Sequence, residues 1–132
     1  MDGKKYNEGP PGSGESALTK MTMSALGVKP NYRSSSVADA VRMMKNREVV
    51  GYTKCSIIDS MDSSMMDIST TQEVTWLGFT KEQTESISEV NPLFYWYEIK
   101  KNTVDGLPDV ERWFIATILA GFTTTELPQN VV

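Results

Sequence analysis

Apolar positions along the chain fall into a few short periodic stretches separated by polar ones. Val37, Ala40, Val41 and Met44 recur at i, i+3, i+4 and i+7, which lines one face of an α-helix. Ser36 stands where an N-cap belongs, and Arg42, Lys45 and Arg47 gather where cations complement the helix dipole, so a helix is predicted over 37–46. A weaker pattern of Leu18, Met21 and Ala25, with Ser16 before it and Gly27 after it, predicts a helix over 16–26. About ten residues are marginal alone, so this helix needs a surface to form against. Residues 48–58 (EVVGYTKCSII) are rich in β-branched side chains and read as a strand, with Gly51 marking a bulge or a close backbone approach. A polar loop, 59–67, leads to a second strand over 68–77 (ISTTQEVTWL). Thr80 and Gln83 form a capping box ahead of a polar helix that runs to about Val90, where Asn91-Pro92 stops it. Residues 93–99 (LFYWYEI) carry the strongest strand signal. Residues 108–120 are apolar on nearly every side and predict a central buried helix, with Pro108 in its first turn and Gly121 beyond its end.

The loop at 59–67 is too short for a parallel crossover, so the strands on either side of it are expected to pair antiparallel. The predicted fold class is therefore α+β: a small antiparallel sheet of about three strands packed with three helices, preceded by a flexible N-terminal arm. Residues 1–35 are read as that arm, because Gly9-Pro10-Pro11-Gly12-Ser13-Gly14 and the run from Ser34 to Ser36 favour neither helix nor ladder. Residues 36–122 are read as the compact domain and 123–132 as a C-terminal tail.

Composition narrows the function more than the fold. The 132 residues, 39% hydrophobic and 23% charged, suit one ordinary domain. No apolar run approaches a membrane span, and the first residues lack the basic-then-apolar pattern of a signal peptide. Asp2 occupies the position myristoylation needs as Gly. One cysteine and no histidine exclude an internal disulfide and the usual zinc patterns, so an intracellular setting, cytoplasmic or in a virion, is expected. Charge is uneven. Residues 1–47 hold eight basic and four acidic side chains, while residues 48–132 hold five basic and thirteen acidic. Lys4, Lys5, Lys20, Lys29 and Arg33 are the candidate contacts to an anionic partner, RNA or a membrane face.

Candidate chemistry is sparse. Histidine-dependent acid–base work and triads are excluded by composition. Tyr97 and Lys101 have the Y-x-x-x-K spacing, but on a strand end the two lie about 13 Å apart. The glycine-rich stretch from Gly9 suggests a phosphate cradle; such a cradle needs a strand before it and a helix after it, and the few residues before Gly9 argue for a linker. Asp59, Asp62, Asp67 and Glu73 do not match a calcium loop. Cys55 reads as a buried, inert thiol, and Lys54 points to the opposite face of the same strand.

Phe94, Tyr95, Trp96 and Tyr97 are the candidate partner-binding residues, since the second face of this aromatic strand needs a cover. The flexible basic arm ahead of a compact body resembles the layout of small viral matrix and coat proteins. The sequence thus predicts a non-enzymatic assembly or interaction protein that self-associates or docks a protein partner, with no cofactor, no metal and no small-molecule substrate. A small intracellular adaptor or regulatory domain binding one protein is the alternative.

Overall fold

The computed structural model describes residues 1–56 and 62–92, and the backbone of two further strands at 95–99 and 112–116. The order of elements is β1 (Lys5–Gly9), α1 (Gly14–Ala25), β2 (Asn31–Ser34), α2 (Val37–Lys45), β3 (Gly51–Tyr52), α3 (Ser63–Thr71), α4 (Lys81–Val90), β4 (Tyr95–Ile99) and β5 (Arg112–Ala116).

β1 is the centre of a three-stranded sheet of order β2-β1-β3, parallel on both sides. Tyr6 stands opposite Tyr32 on one side and Gly51 on the other. This overturns the predicted antiparallel sheet and the flexible arm: the middle strand of the sheet, one of its edges and the first helix all come from residues 5–34. The physical reason is that each parallel step is joined by a helix, β1–α1–β2 and β2–α2–β3, which supplies the crossover length that parallel pairing requires.

Neighbouring residues of a strand point to opposite faces. Glu8 faces α1, where the Ser16 and Thr19 hydroxyls donate to its side chain and carbonyl, while Asn7 donates to Met43 Sδ of α2 at 3.8 Å. The two helices thus cover opposite faces. The apolar core is small: Tyr6 and Met23, with Ala40, Val41, Val49 and Ile68 on the α2–α3 side and Ile87 of α4. Much of what surrounds β1 is polar yet buried, with Asn7, Glu8, Ser16, Thr19 and Thr22 all inside.

Local signals account for the helix starts. Ser36 accepts the Asp39 amide at 3.2 Å, and the box at Thr80 and Gln83 closes at 3.2 and 2.9 Å. α1 begins earlier than predicted, because Ser13 accepts the Ser16 amide at 3.1 Å. Gly27 follows it with a left-handed φ of 71°, a conformation that favours glycine.

Three further expectations change. The strand predicted over 48–58 is reduced to Gly51 and Tyr52, and pairs parallel. Where the strand over 68–77 was predicted, Ile68–Thr71 end α3: Asp62 caps this helix by accepting the Ser64 and Met65 amides, and Ile68 is almost fully buried. Cap and burial outweigh the β propensity of Thr70 and Thr71. Within the stretch predicted as a helix over 108–120, Arg112–Ala116 is a strand paired antiparallel with β4, with Trp113 opposite Glu98 and Phe114 opposite Tyr97. Aromatic and β-branched residues suit a paired strand as well as a buried helix, and their all-round apolarity does not separate the two. The described residues hold four helices where three were predicted. The predicted tail, 123–132, lies outside the described residues.

Two stability predictions follow from this packing. A Cβ on Gly51 would meet the Tyr6 ring at 2.9 Å, so Gly51→Ala is expected to cost about 1–3 kcal/mol by overpacking, read as a lower midpoint in urea unfolding. Burial raises the Asp62 carboxyl, but hydrogen bonds from Lys54, the Met65 amide and Ser64, together with the Lys54 charge, outweigh it and hold the group well below the usual carboxylate range. A depressed folded pKa gives stability that is present above the unfolded value, roughly pH 4, and is lost as pH falls toward the folded one. Asp62→Ala should therefore cost about 1 kcal/mol at neutral pH, and its deficit against wild type should shrink below pH 4. A deficit independent of pH would contradict the role of the charge.

Candidate functional site

In a parallel sheet all strands end on one side, here at Gly9, Ser34 and Tyr52. Three loops leave this rim. Two of them lead at once into helices, so the N-termini of α1 and α2 both open there. The chain runs from β1 to β2 on one side of the sheet and from β2 to β3 on the other, and this reversal puts the topological switch point, where open α/β sheets form their crevice, between the ends of β1 and β3.

The rim is organised by side-chain bonds to the end of β1. The Gly9 amide donates to Asn7 Oδ1 at 2.9 Å, an Asx turn that ends the strand at a bulge. Asn7 Nδ2 donates to Ser35 Oγ at 2.6 Å, and the Ser35 amide to the Gly9 carbonyl at 3.2 Å, which anchors the loop before α2. The Tyr6 hydroxyl pairs with Thr53 Oγ1 at 2.9 Å and anchors the loop after β3. Burial raises the Tyr6 phenol, with Thr53 partly offsetting it, so it stays protonated at neutral pH.

Glu8 is 2% exposed. Its Oε1 accepts from Ser34 Oγ at 2.7 Å, from Lys20 Nζ at 3.1 Å and from Ser16 Oγ at 3.5 Å. Its Oε2 is buried and has no donor in the chain. Glu15, in the first turn of α1, reaches across the crevice: its Oε1 accepts the Cys55 amide at 2.7 Å. Gly9 makes room for this crossing. It holds a left-handed φ of 105°, and a Cβ there would lie 2.9 Å from the Glu15 Cβ.

The glycine-rich stretch from Gly9 therefore has the context the sequence seemed to deny it, with β1 before it and α1 after it. Pro10 and Pro11 still supply no amide hydrogen. Cys55 is exposed rather than buried. Its thiol is raised by partial burial, then by the Glu15 charge and its hydrogen bond, which disfavours a nucleophilic thiolate. Lys54 is engaged with Asp62 and Ser64.

The five predicted anion contacts do not form one surface. Lys4 and Lys5 lie at the start of β1 and Lys29 lies just ahead of β2, at the end of the sheet opposite the rim. The Lys29 amide donates to Asp2 Oδ1 at 2.6 Å. Arg33, in β2, donates to Asn31 Oδ1 and the Tyr32 carbonyl. Lys20 is held at Glu8 and lies 5.8 Å over the Tyr32 ring. An open groove of about 220 Å³ beside Lys20, Val28, Lys29 and Tyr32 also lies toward that opposite end. Of the aromatic candidates, Tyr95, Trp96 and Tyr97 are in β4, paired with β5, and Phe94 lies outside the described residues. Reasoning from sequence missed Asn7, Glu8, Gly9, Glu15 and Ser35 as site residues. A strand-glycine-helix reading of residues 5–25 would have found the first four.

Among the described residues no three acidic or cysteine side chains gather as a metal site, and no helix is long and apolar enough to cross a membrane. A parallel sheet of order 2-1-3, with helices on both faces and a topological switch point at the strand ends, defines an open α/β unit. The chain belongs to the NMT1-like family, which matches it over residues 1–132. Among curated proteins none matches it. Family and fold together overturn the viral matrix- or coat-like, self-assembling reading: the supposed free arm is the middle of the sheet.

Gly9→Ala tests the crevice geometry. It combines a left-handed φ with a clash, and is expected to cost roughly 1–3 kcal/mol and to weaken the Glu15–Cys55 bond, read as faster hydrogen exchange at the Cys55 amide.

Proposed function

We propose that this chain is a small-molecule-binding domain of the substrate-binding type, which takes its ligand at the rim where β1, β2 and β3 end. The observation that carries this reading is the reversal of chain direction between β1 and β3 in an all-parallel sheet, since ligands of open α/β folds bind in the crevice outside the carboxyl ends of the strands at such a point. Membership of the NMT1-like family supports it, as that family points to a substrate-binding type of domain. Two helix N-termini, a glycine-bearing loop and hydroxyls from Ser35 and Thr53 offer the backbone and side-chain polar groups that fix a small ligand's orientation.

The reading sets aside the expectation of no small-molecule substrate. It keeps the expectation of binding without chemistry: histidine is absent from the chain, and the Cys55 thiol, the one sulfur nucleophile, is disfavoured as a thiolate. The test is amide chemical-shift mapping of the labelled chain against pooled polar metabolites. Shifts should concentrate at Gly9, Ser13, Gly14, Ser35, Ser36, Thr53 and Cys55. Shifts confined to other surfaces, or none from any pool, would count against a ligand site at the rim.

A further inference from the structure

The groove at the end of the sheet opposite the rim has no part in the function proposed above. We propose that it is a second, separate binding site, which takes a small aromatic carboxylate. Its volume is about 220 Å³, and it lies between the C-terminal half of α1 and the segment that leads into β2. Lys20 and Ser24, one helical turn apart, line it from α1; Val28, Lys29, Pro30 and Tyr32 line it from the segment.

The walls are fixed before any ligand arrives. The Val28 and Gly27 amides close the end of α1 on the Met23 and Ser24 carbonyls, at 2.9 and 3.0 Å. The Gly3 amide donates to the Lys29 carbonyl, the Asn31 amide to the Lys4 carbonyl and the Lys29 amide to Asp2, which ties the segment to the start of the chain. The backbone donors of the groove are thereby spent, and Pro30 has none. Two end carbonyls of α1 are answered as well, which weakens the negative helix end there. Side chains therefore set what the groove recognises.

Those side chains place two ammonium groups beside an apolar floor. Lys20 Nζ is anchored at 3.1 Å by the buried Glu8 and stands 5.8 Å over the Tyr32 ring, yet the side chain is half exposed and keeps N–H groups for a ligand. Lys29 and Ser24 are exposed, and among the described residues their side chains have no partner. Burial, then Glu8 and Tyr6, raise the Tyr32 phenol, so its hydroxyl stays a donor at neutral pH. Lys4 and Lys5, at the start of β1, add positive charge at this end, where the carboxylates are Asp2, held on the Lys29 amide, and Glu8, held on Lys20. Val28, Pro30 and Tyr32 are half-buried and offer the surface that an aromatic ring covers. A carboxylate on that ring gains charge-assisted bonds from Lys20 and Lys29; an amine in its place meets two like charges.

Benzoate, benzyl alcohol and benzylamine share one ring and differ in charge. Each is titrated into the labelled full chain and followed by amide shifts. Benzoate should give saturable shifts at Gly27, Val28, Lys29 and Tyr32 that weaken as salt is raised, with the alcohol and the amine at least tenfold weaker. Lys29→Gln should lower benzoate affinity roughly tenfold, whereas Lys4→Gln, which removes the same charge outside the groove, should change it less than twofold. Equal losses in the two variants would reduce the effect to diffuse charge and overturn the site. Benzylamine binding as tightly as benzoate, or benzoate shifts that do not saturate, would overturn it too. Benzoate shifts at Gly9, Ser35 and Thr53 alone would overturn the groove and leave the rim standing, and a silent rim with saturable shifts at Gly27 and Val28 would do the reverse.

Discussion

The fold depends on the hydrogen bonds that allow a polar strand to occupy the centre of a sheet. β1 reads Lys-Tyr-Asn-Glu-Gly, and its Asn7 and Glu8 are buried almost completely. Left unpaired, such groups would cost several kcal/mol each. Asn7 is answered by Ser35 and by the Gly9 amide, and Glu8 by Ser34, Ser16 and Lys20. These partners belong to β2, to the loop after it, to α1 and to β1 itself. The same bonds that make the strand tolerable also fix where the rim loops begin. Stability and site geometry are therefore set by one network, and a change in it alters both.

That coupling explains how the structure divides its labour. The apolar contacts lie mainly where α2 and α3 pack, through Ala40, Val41 and Ile68, and where α4 places Ile87. The α1 face of the sheet is lined by hydroxyls, with Ser16, Thr19 and Thr22 buried there. Burial between α2 and α3 is mainly apolar, whereas on the α1 side buried hydroxyls lie alongside Met23 and Ile87 of α4, which packs on α1. The hydroxyl-lined side is the one that holds Glu8.

What could be read from the sequence were features decided within a few residues. The Ser36 cap, the Thr80–Gln83 box, the glycine after α1 and the stop at Asn91 all appear where their local chemistry places them. The sheet could not be read, because buried parallel strands normally announce themselves as apolar runs and this one does not. β3 is only two residues long and leaves almost no signature. Residues 68–71 and 112–116 were misassigned because composition alone does not distinguish strand from helix when a cap or a pairing partner decides between them. The site was missed with the sheet: Glu8 and Glu15 counted as charges in a solvated segment until β1 gave them a shared rim.

Tyr6 and Thr53 meet across forty-seven positions of the chain. β1 therefore leaves the ribosome well before the residues that complete its hydrogen bonding, and must wait for α1, β2, α2 and β3 to be made. An apolar strand exposed for that interval would be a template for association with other nascent chains. A strand of lysine, tyrosine, asparagine, glutamate and glycine stays hydrated while it waits, and becomes dry only when its own partners arrive. The polar middle strand thus makes the order of synthesis and the order of assembly compatible.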